Sequence, residues 1–170
     1  PEIGNKLKAA IQGVELPSVI TYQNIKDLDY TRQIISESMR LYPPAWITDR
    51  VALDDDDING IKIKKGDVIA LYIYGAHHSK KSWVHPEAFL PSRFEREKMK
   101  AYHPFAYFPF GGGPRLCIGQ QFAMVEMQLT LFELYKNFDF EWLEGQQVEL
   151  SPLITLRPLK GMLMKISSVS

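Results

Sequence analysis

The sequence predicts an α+β fold: helices joined to a small, mostly antiparallel sheet, with one loop that carries the only cysteine. Three observations lead there. Apolar residues recur at helical spacing over 2–12, 30–41 and 118–136. Short apolar runs broken by glycine and proline fill 45–74 and return over 147–168. Between these β-rich regions, Phe110-Gly111-Gly112-Gly113-Pro114-Arg115-Leu116-Cys117-Ile118-Gly119 sets Cys117 behind a glycine-rich loop and directly ahead of the last helical stretch.

The first helix carries Ile3, Leu7, Ala10 and Ile11 on its apolar side, and Gly13 ends it. Pro17 marks a connection, and Thr21 is placed to cap a short helical turn around Ile25. Asp29 is the expected N-cap of the next helix, whose apolar positions are Ile34, Ile35, Met39 and Leu41. Pro43-Pro44 stops it. Ala45 to Leu53 reads as extended, Asp54 to Asp57 as an acidic turn, and Asn59-Gly60 as a hairpin turn. Ile61-Lys62-Ile63 alternates, Lys65-Gly66 turns, and Val68 to Tyr74 reads as a buried strand. His77-His78 falls in a loop before Trp83, and an irregular but ordered meander runs through Glu97, Lys98 and Lys100. The last helix is apolar on more than one side, so burial is expected for most of it. Phe138-Asp139-Phe140 alternates after it, with Leu156-Arg157-Pro158 and Lys160-Gly161 as later turn signals.

Composition narrows the classes. The 170 residues suffice for one domain, and a 45% hydrophobic content makes it globular. Twenty basic residues balance twenty acidic ones, so nothing in the charge points to nucleic acid. One cysteine excludes an internal disulfide and any multi-cysteine metal site. No apolar run is long enough for a transmembrane helix, and no signal peptide is visible. His77, His78, His85 and His103 fit no H-x-x-x-H or H-E-x-x-H spacing. The acidic turn lacks the spacing of a calcium loop.

Cys117 is the chemical centre. Glycine lets the backbone turn tightly and approach a flat ligand. The helix start offers free N–H groups and a positive dipole end, which favour a thiolate, and Arg115 adds a fixed positive charge. Such a cysteine is a nucleophile or a metal ligand; the bland alternative is an inert buried thiol beside a turn.

Phe110, Gly113, Arg115, Cys117 and Gly119 fit F-x-x-G-x-R-x-C-x-G, which resembles the haem-binding loop of cytochrome P450. Chance alone gives this match on the order of once in 10⁴ chains of this length. Glu37 and Arg40 resemble the family's Glu-x-x-Arg helix, and Pro91-Ser92-Arg93-Phe94 its P-x-R-F segment. The resemblance covers essentially residues 1–170 as the C-terminal haem-binding portion of a P450 domain. The family's long distal helix has no counterpart here.

The resemblance implies a haem-thiolate monooxygenase that inserts one oxygen atom of O2 into a lipophilic substrate. It implies haem b as cofactor, Cys117 as axial iron ligand, and Phe110, Gly113, Arg115, Gly119 and Arg50 as cofactor-binding residues. Glu37, Arg40 and Arg93 would form a structural lock, since two guanidiniums around one carboxylate make a charge-assisted cluster. Ala45, Ile47, Ile154 and Thr155 would line the substrate pocket, with ordinary core packing as the alternative. Electrons would come from a reductase or a ferredoxin- or flavodoxin-like protein. Lys98 and Lys100 could help dock it, or be simply a solvated charge run. Three functional readings stay open: the monooxygenase, a haem-thiolate peroxygenase or isomerase, and a non-catalytic fragment or interaction module. A cysteine-nucleophile enzyme is a further, more distant one.

Overall fold

A computed structural model describes residues 2–26 and 28–169. Among the described residues there are six α-helices: α1 (Glu2–Ile11), α2 (Tyr22–Lys26), α3 (Asp29–Leu41), α4 (Ile73–His77), α5 (Arg96–Met99) and α6 (Gln120–Asn137). Eight short strands accompany them: β1 (Thr48–Val51), β2 (Asp56–Ile58), β3 (Ile61–Ile63), β4 (Val68–Leu71), β5 (Phe138–Trp142), β6 (Leu150–Pro152), β7 (Leu156–Pro158) and β8 (Met164–Ser168). The fold class is α+β, as the sequence indicates. The strands, however, do not make one sheet. They pair as four separate antiparallel ladders: β1 with β4, β2 with β3, β5 with β8, and β6 with β7.

One core cluster joins three helices. Leu7 and Ile11 of α1, Leu28 before α3 and Phe132 of α6 are buried together, with Ile34 and Tyr135 packed around them. Gly13 follows α1 at φ 79°, the left-handed conformation that a helix stop demands. A second cluster joins Trp83, Phe94 and Ala106, and it underlies the segment that leads to Cys117.

Several local expectations need correction. Asp29 is the first residue of α3, not its cap; its carboxylate instead accepts from Arg32 Nε (2.9 Å) and Gln33 Nε2 (2.8 Å). Thr21 precedes α2, but among the described residues no helix N–H donates to its side chain: its own N–H and hydroxyl both donate to Asn24 Oδ1. Asp56 and Asp57 belong to β2, because the Asn59-Gly60 turn (φ 53° and 85°) pairs Asp56 with Ile63. Leu156-Arg157-Pro158 is a strand, paired with β6, while Gly161 does take a positive φ. The meander contains a 3-10 turn at Pro91–Phe94 and then the helix α5.

The reading of Val68 to Tyr74 as one buried strand fails twice. Val68 and Leu71 are exposed, and the strand ends at Leu71 opposite Thr48. Beyond that point β1 offers no partner; Tyr74 N donates to Trp46 O and the chain turns into α4. His77 therefore ends a helix and does not lie in a loop. The expected burial of α6 is also corrected: Gln128 and Phe132 are buried, but Phe122 is 75% exposed. A helix apolar all round has surface that α1 and α3 alone do not cover.

Candidate haem-ligand loop

The loop around Cys117 is built from backbone hydrogen bonds. Gly111 N donates to Phe108 O (3.0 Å), Leu116 N to Gly113 O (3.1 Å) and Cys117 N to Phe110 O (3.0 Å). A 3-10 turn spans Gly113–Arg115. Gly111 and Gly113 sit at φ 76° and 66°, where a side chain would be strained. Gly112 is extended, yet a Cβ there would meet Phe105 Cε1 at 2.9 Å. Thus Phe105 presses against the loop through a gap that only glycine leaves open. Nothing in the residue pattern hints at Phe105 in this role, since its partner is a missing atom.

Cys117 is exposed and unpaired. Gly119 lies beside it: a Cβ there would be 3.8 Å from Sγ. Gln120 N donates to Cys117 O (3.3 Å) and Ala123 N to Gly119 O (2.9 Å), so α6 starts directly beyond the cysteine. Phe110 is half-buried, and its ring lines a cavity of about 300 Å³ shared with Tyr107, Gln120 and Met124. Arg115 and Ile118 are exposed beside the thiol. Arg50 lies on β1, where its guanidinium donates to Asp49 O (2.5 Å) and Thr48 Oγ1 (3.4 Å). Among the described residues, no hydrogen bond or ion pair ties Arg50 to the loop.

The structure brings Glu37, Arg40 and Arg93 together. Glu37 and Arg40 are both 0% exposed. The Arg40 fork grips the carboxylate with Nε on Oε2 (2.7 Å) and NH2 on Oε1 (2.9 Å). Arg93 Nε reaches Oε1 at 3.3 Å, and Leu90 N donates to the same oxygen at 2.8 Å. Two guanidiniums against one carboxylate leave one surplus positive charge. Carbonyls offset it: Arg40 donates to His77 O (2.9 Å) and Ala88 O (3.2 Å), Arg93 to Val84 O (2.5 Å) and His85 O (2.6 Å). Arg40 also lies over the Trp83 ring, 5.2 Å from its centroid.

His77 is the group that sequence reasoning undervalued. It is fully buried, stacks on Tyr107 and meets Phe108 edge-on. Its Nε2 accepts from Phe108 N at 3.0 Å. Burial pushes its pKa down to about 4; the carbonyls of Arg40 and Met39 oppose this, and the charges of Arg40 and His78 assist it. Because Nε2 accepts from Phe108 N, the neutral ring carries its proton on Nδ1, which has no hydrogen-bond partner among the described residues. Burial likewise raises the Tyr107 phenol well above its ordinary range.

Of the four pocket candidates, Ile47 and Ile154 are brought together. Both line an open cleft of about 470 Å³ with Val68, Ala70 and Leu153. Two hydrogen bonds hold its walls: Trp46 Nε1 to Leu153 O and Leu156 N to Pro44 O, each 2.9 Å. Ala45 and Thr155 are exposed neighbours that do not line it.

Among the described residues no cluster of three His, Cys, Asp or Glu side chains could hold a bare metal ion. The donor set is one exposed thiol, kept open by a glycine and flanked by an exposed arginine and apolar surface. That suits an iron macrocycle, which brings its own equatorial ligands and needs only an axial one. The fold and loop define a mixed α+β chain that presents a single cysteine on a braced, glycine-rich turn. The family model for cytochrome P450 matches residues 1–165, and the chain belongs to the cytochrome P450 family.

Cytochrome P450 3A2 of Rattus norvegicus is 36% identical over 170 residues, covering 98% of this chain and 34% of its own. Cytochrome P450 3A7 of Homo sapiens is 39% identical over 152 residues, 88% of this chain and 30% of its own. The crystal structure of the cytochrome P450DA haem domain superposes with a TM-score of 0.91 at 29% identity, over all of this chain and 38% of that one. The chain spans about a third of the length of these relatives. No described helix is long and apolar enough to cross a membrane.

Proposed function

We propose that this chain is the haem-ligating part of a monooxygenase that inserts one oxygen atom of O2 into a lipophilic substrate. The observation that carries the reading is the exposed Cys117, closed into its turn by the Phe110 carbonyl and left open on one side by Gly119. Bound haem b supplies the oxygen-activating and electron-accepting chemistry, which a thiolate ligand strengthens.

Cys117 would hold the haem iron through its thiolate. Gly113 lets the loop come close, and Phe110 fills space behind the sulfur. The free N–H groups at the start of α6 temper the negative charge of the thiolate. Arg115 and Arg50 supply positive charge for propionates. The Glu37–Arg40–Arg93 cluster fixes the base on which the loop stands. Ile47 and Ile154 offer apolar surface to substrate, with Ala45 and Thr155 at its edge. A redox partner delivers the electrons. As a third of its relatives' length, the chain alone is expected to ligate haem without turnover.

The test is an absorption spectrum of the chain reconstituted with haemin and reduced under carbon monoxide. A strongly red-shifted Soret band, lost in Cys117→Ala, is the expected result. A folded chain whose spectrum is that of free haem, or is unchanged by Cys117→Ala, overturns the reading.

A further inference from the structure

The buried cluster and the exposed loop are joined through one side chain. Arg40, whose Nε and NH2 hold Glu37, donates through NH1 to the His77 carbonyl at 2.9 Å. The His77 imidazole then accepts from Phe108 N at 3.0 Å. The Phe108 carbonyl accepts from Gly111 N, and the Phe110 carbonyl from Cys117 N, each at 3.0 Å. We propose that His77 is a positioning residue for Cys117, transmitting the fixed geometry of the Glu37–Arg40–Arg93 cluster to the start of the cysteine loop.

Three observations favour His77 over a passive filler. It is completely buried, so Phe108 N–H has no water to bond to if the imidazole is removed. Both of its polar ends are used in opposite directions: the backbone carbonyl toward the cluster, Nε2 toward the loop. Its ring is also held on two sides, stacked 5.3 Å from Tyr107 and edge-on 5.4 Å from Phe108. The acceptor therefore has little freedom to move. A neutral imidazole is needed for this role, and burial keeps it neutral at ordinary pH. The proposal rests on the reading of Cys117 as a ligand only for its purpose; the loop geometry itself can be measured without haem.

Two measurements on the chain without haem test it. In the ¹⁵N-labelled wild type, a scalar coupling across the hydrogen bond between Phe108 N and His77 Nε2 is expected. Its absence overturns the proposal with no variant needed. Hydrogen exchange is then compared among wild type, His77→Phe and His77→Gln. Phe keeps a ring but removes the acceptor; Gln keeps an acceptor. Exchange at Phe108, Gly111 and Cys117 should rise on the order of tenfold to a hundredfold in His77→Phe and return toward wild type in His77→Gln. Amides of α3, such as Ile35 and Met39, should stay unchanged. Faster exchange confined to Phe108, or a uniform rise that Gln does not reverse, overturns the proposal. Should His77→Phe fail to fold, the coupling and His77→Gln decide: Gln at wild-type exchange supports it, and Gln with an unprotected Cys117 amide overturns it.

Discussion

Glu37→Gln is the sharpest perturbation of the buried cluster, because it preserves shape and removes only charge and one acceptor. Glu37 accepts from Arg40 Nε, Arg40 NH2, Leu90 N and Arg93 Nε at 2.7 to 3.3 Å. With the amide oxygen at the Oε1 position, its NH2 must face Arg40 Nε, donor against donor. Two guanidiniums would then share no anion in a buried site. Breaking a buried pair costs about 3–5 kcal/mol, against about 5–15 kcal/mol of total stability for an ordinary domain. The control is Glu97→Gln, which breaks the exposed Glu97–Lys100 pair (2.8 Å). Exposed pairs contribute about 0–1 kcal/mol. Urea unfolding, followed by circular dichroism and by tryptophan fluorescence, reads both; Trp83 sits against Arg40 and reports the site directly. The expected result is a large fall in midpoint for Glu37→Gln at unchanged slope. A loss no larger than that of Glu97→Gln would refute the claim that the cluster is buried and mutually compensated.

Other outcomes follow from the same geometry. His77 has an unfolded value of 6.5 and a folded value of about 4. The unfolded chain therefore gains a proton that the folded chain refuses as pH falls between these values. Stability should be complete above pH 6.5 and decline as pH falls through 4 by about 3.5 kcal/mol in all, 2.5 pH units at about 1.4 kcal/mol each; pH-dependent urea unfolding with His77→Gln, which lacks this loss, checks it. Gly112→Ala should destabilise the loop by about 1–3 kcal/mol through overpacking on Phe105. Because Gly112 is extended, Phe105→Leu should rescue it, as calorimetry of the double variant would show. Trp46→Phe removes the bond to the Leu153 carbonyl. A loss of about 1 kcal/mol and faster exchange at Leu156 N are expected.

The parts of this fold that were legible in the sequence are those set by a local rule. Asn59-Gly60 announces its turn because both residues tolerate positive φ, and Gly13 stops α1 for the same reason. Glu37, Arg40 and Arg93 were legible by resemblance; their spacing alone, an i,i+3 pair and a distant arginine, would fit any surface helix. What stayed hidden depends on contacts between distant segments. Val68 to Tyr74 carries a strand pattern throughout, yet pairing with β1 ends at Leu71. The reason lies in Tyr72: a Cβ at Gly75 would meet its ring at 2.4 Å, so glycine permits a tight turn of α4 there. Asp29 has the chemistry of a cap, but Arg32, Gln33 and Arg96 compete for its carboxylate. His77 read only as part of a loop, because nothing in the sequence places Phe108 N, 31 residues away, on its Nε2.

The arrangement places the least mobile chemistry directly behind the most accessible. Cys117 is exposed, and an exposed loop of glycines has many conformations to lose. A buried ionic cluster is poor evidence of stability, since apolar residues could fill its volume at less desolvation cost. It does something apolar packing cannot: each guanidinium nitrogen of Arg40 and Arg93 donates to a carboxylate oxygen or a carbonyl at a set position. The carbonyls of Val84, His85, Ala88 and His77 are thereby fixed relative to α3. One of these residues, His77, returns a second hydrogen bond to the segment that enters the cysteine loop. A flexible loop acquires a single geometry only if its base is specified by direction as well as by volume. If that is why the charges are buried, an apolar replacement of Glu37, Arg40 and Arg93 together should fold with near-normal stability. It should nevertheless lose protection at the Cys117 amide. Normal loop protection in that triple variant would show that volume alone suffices.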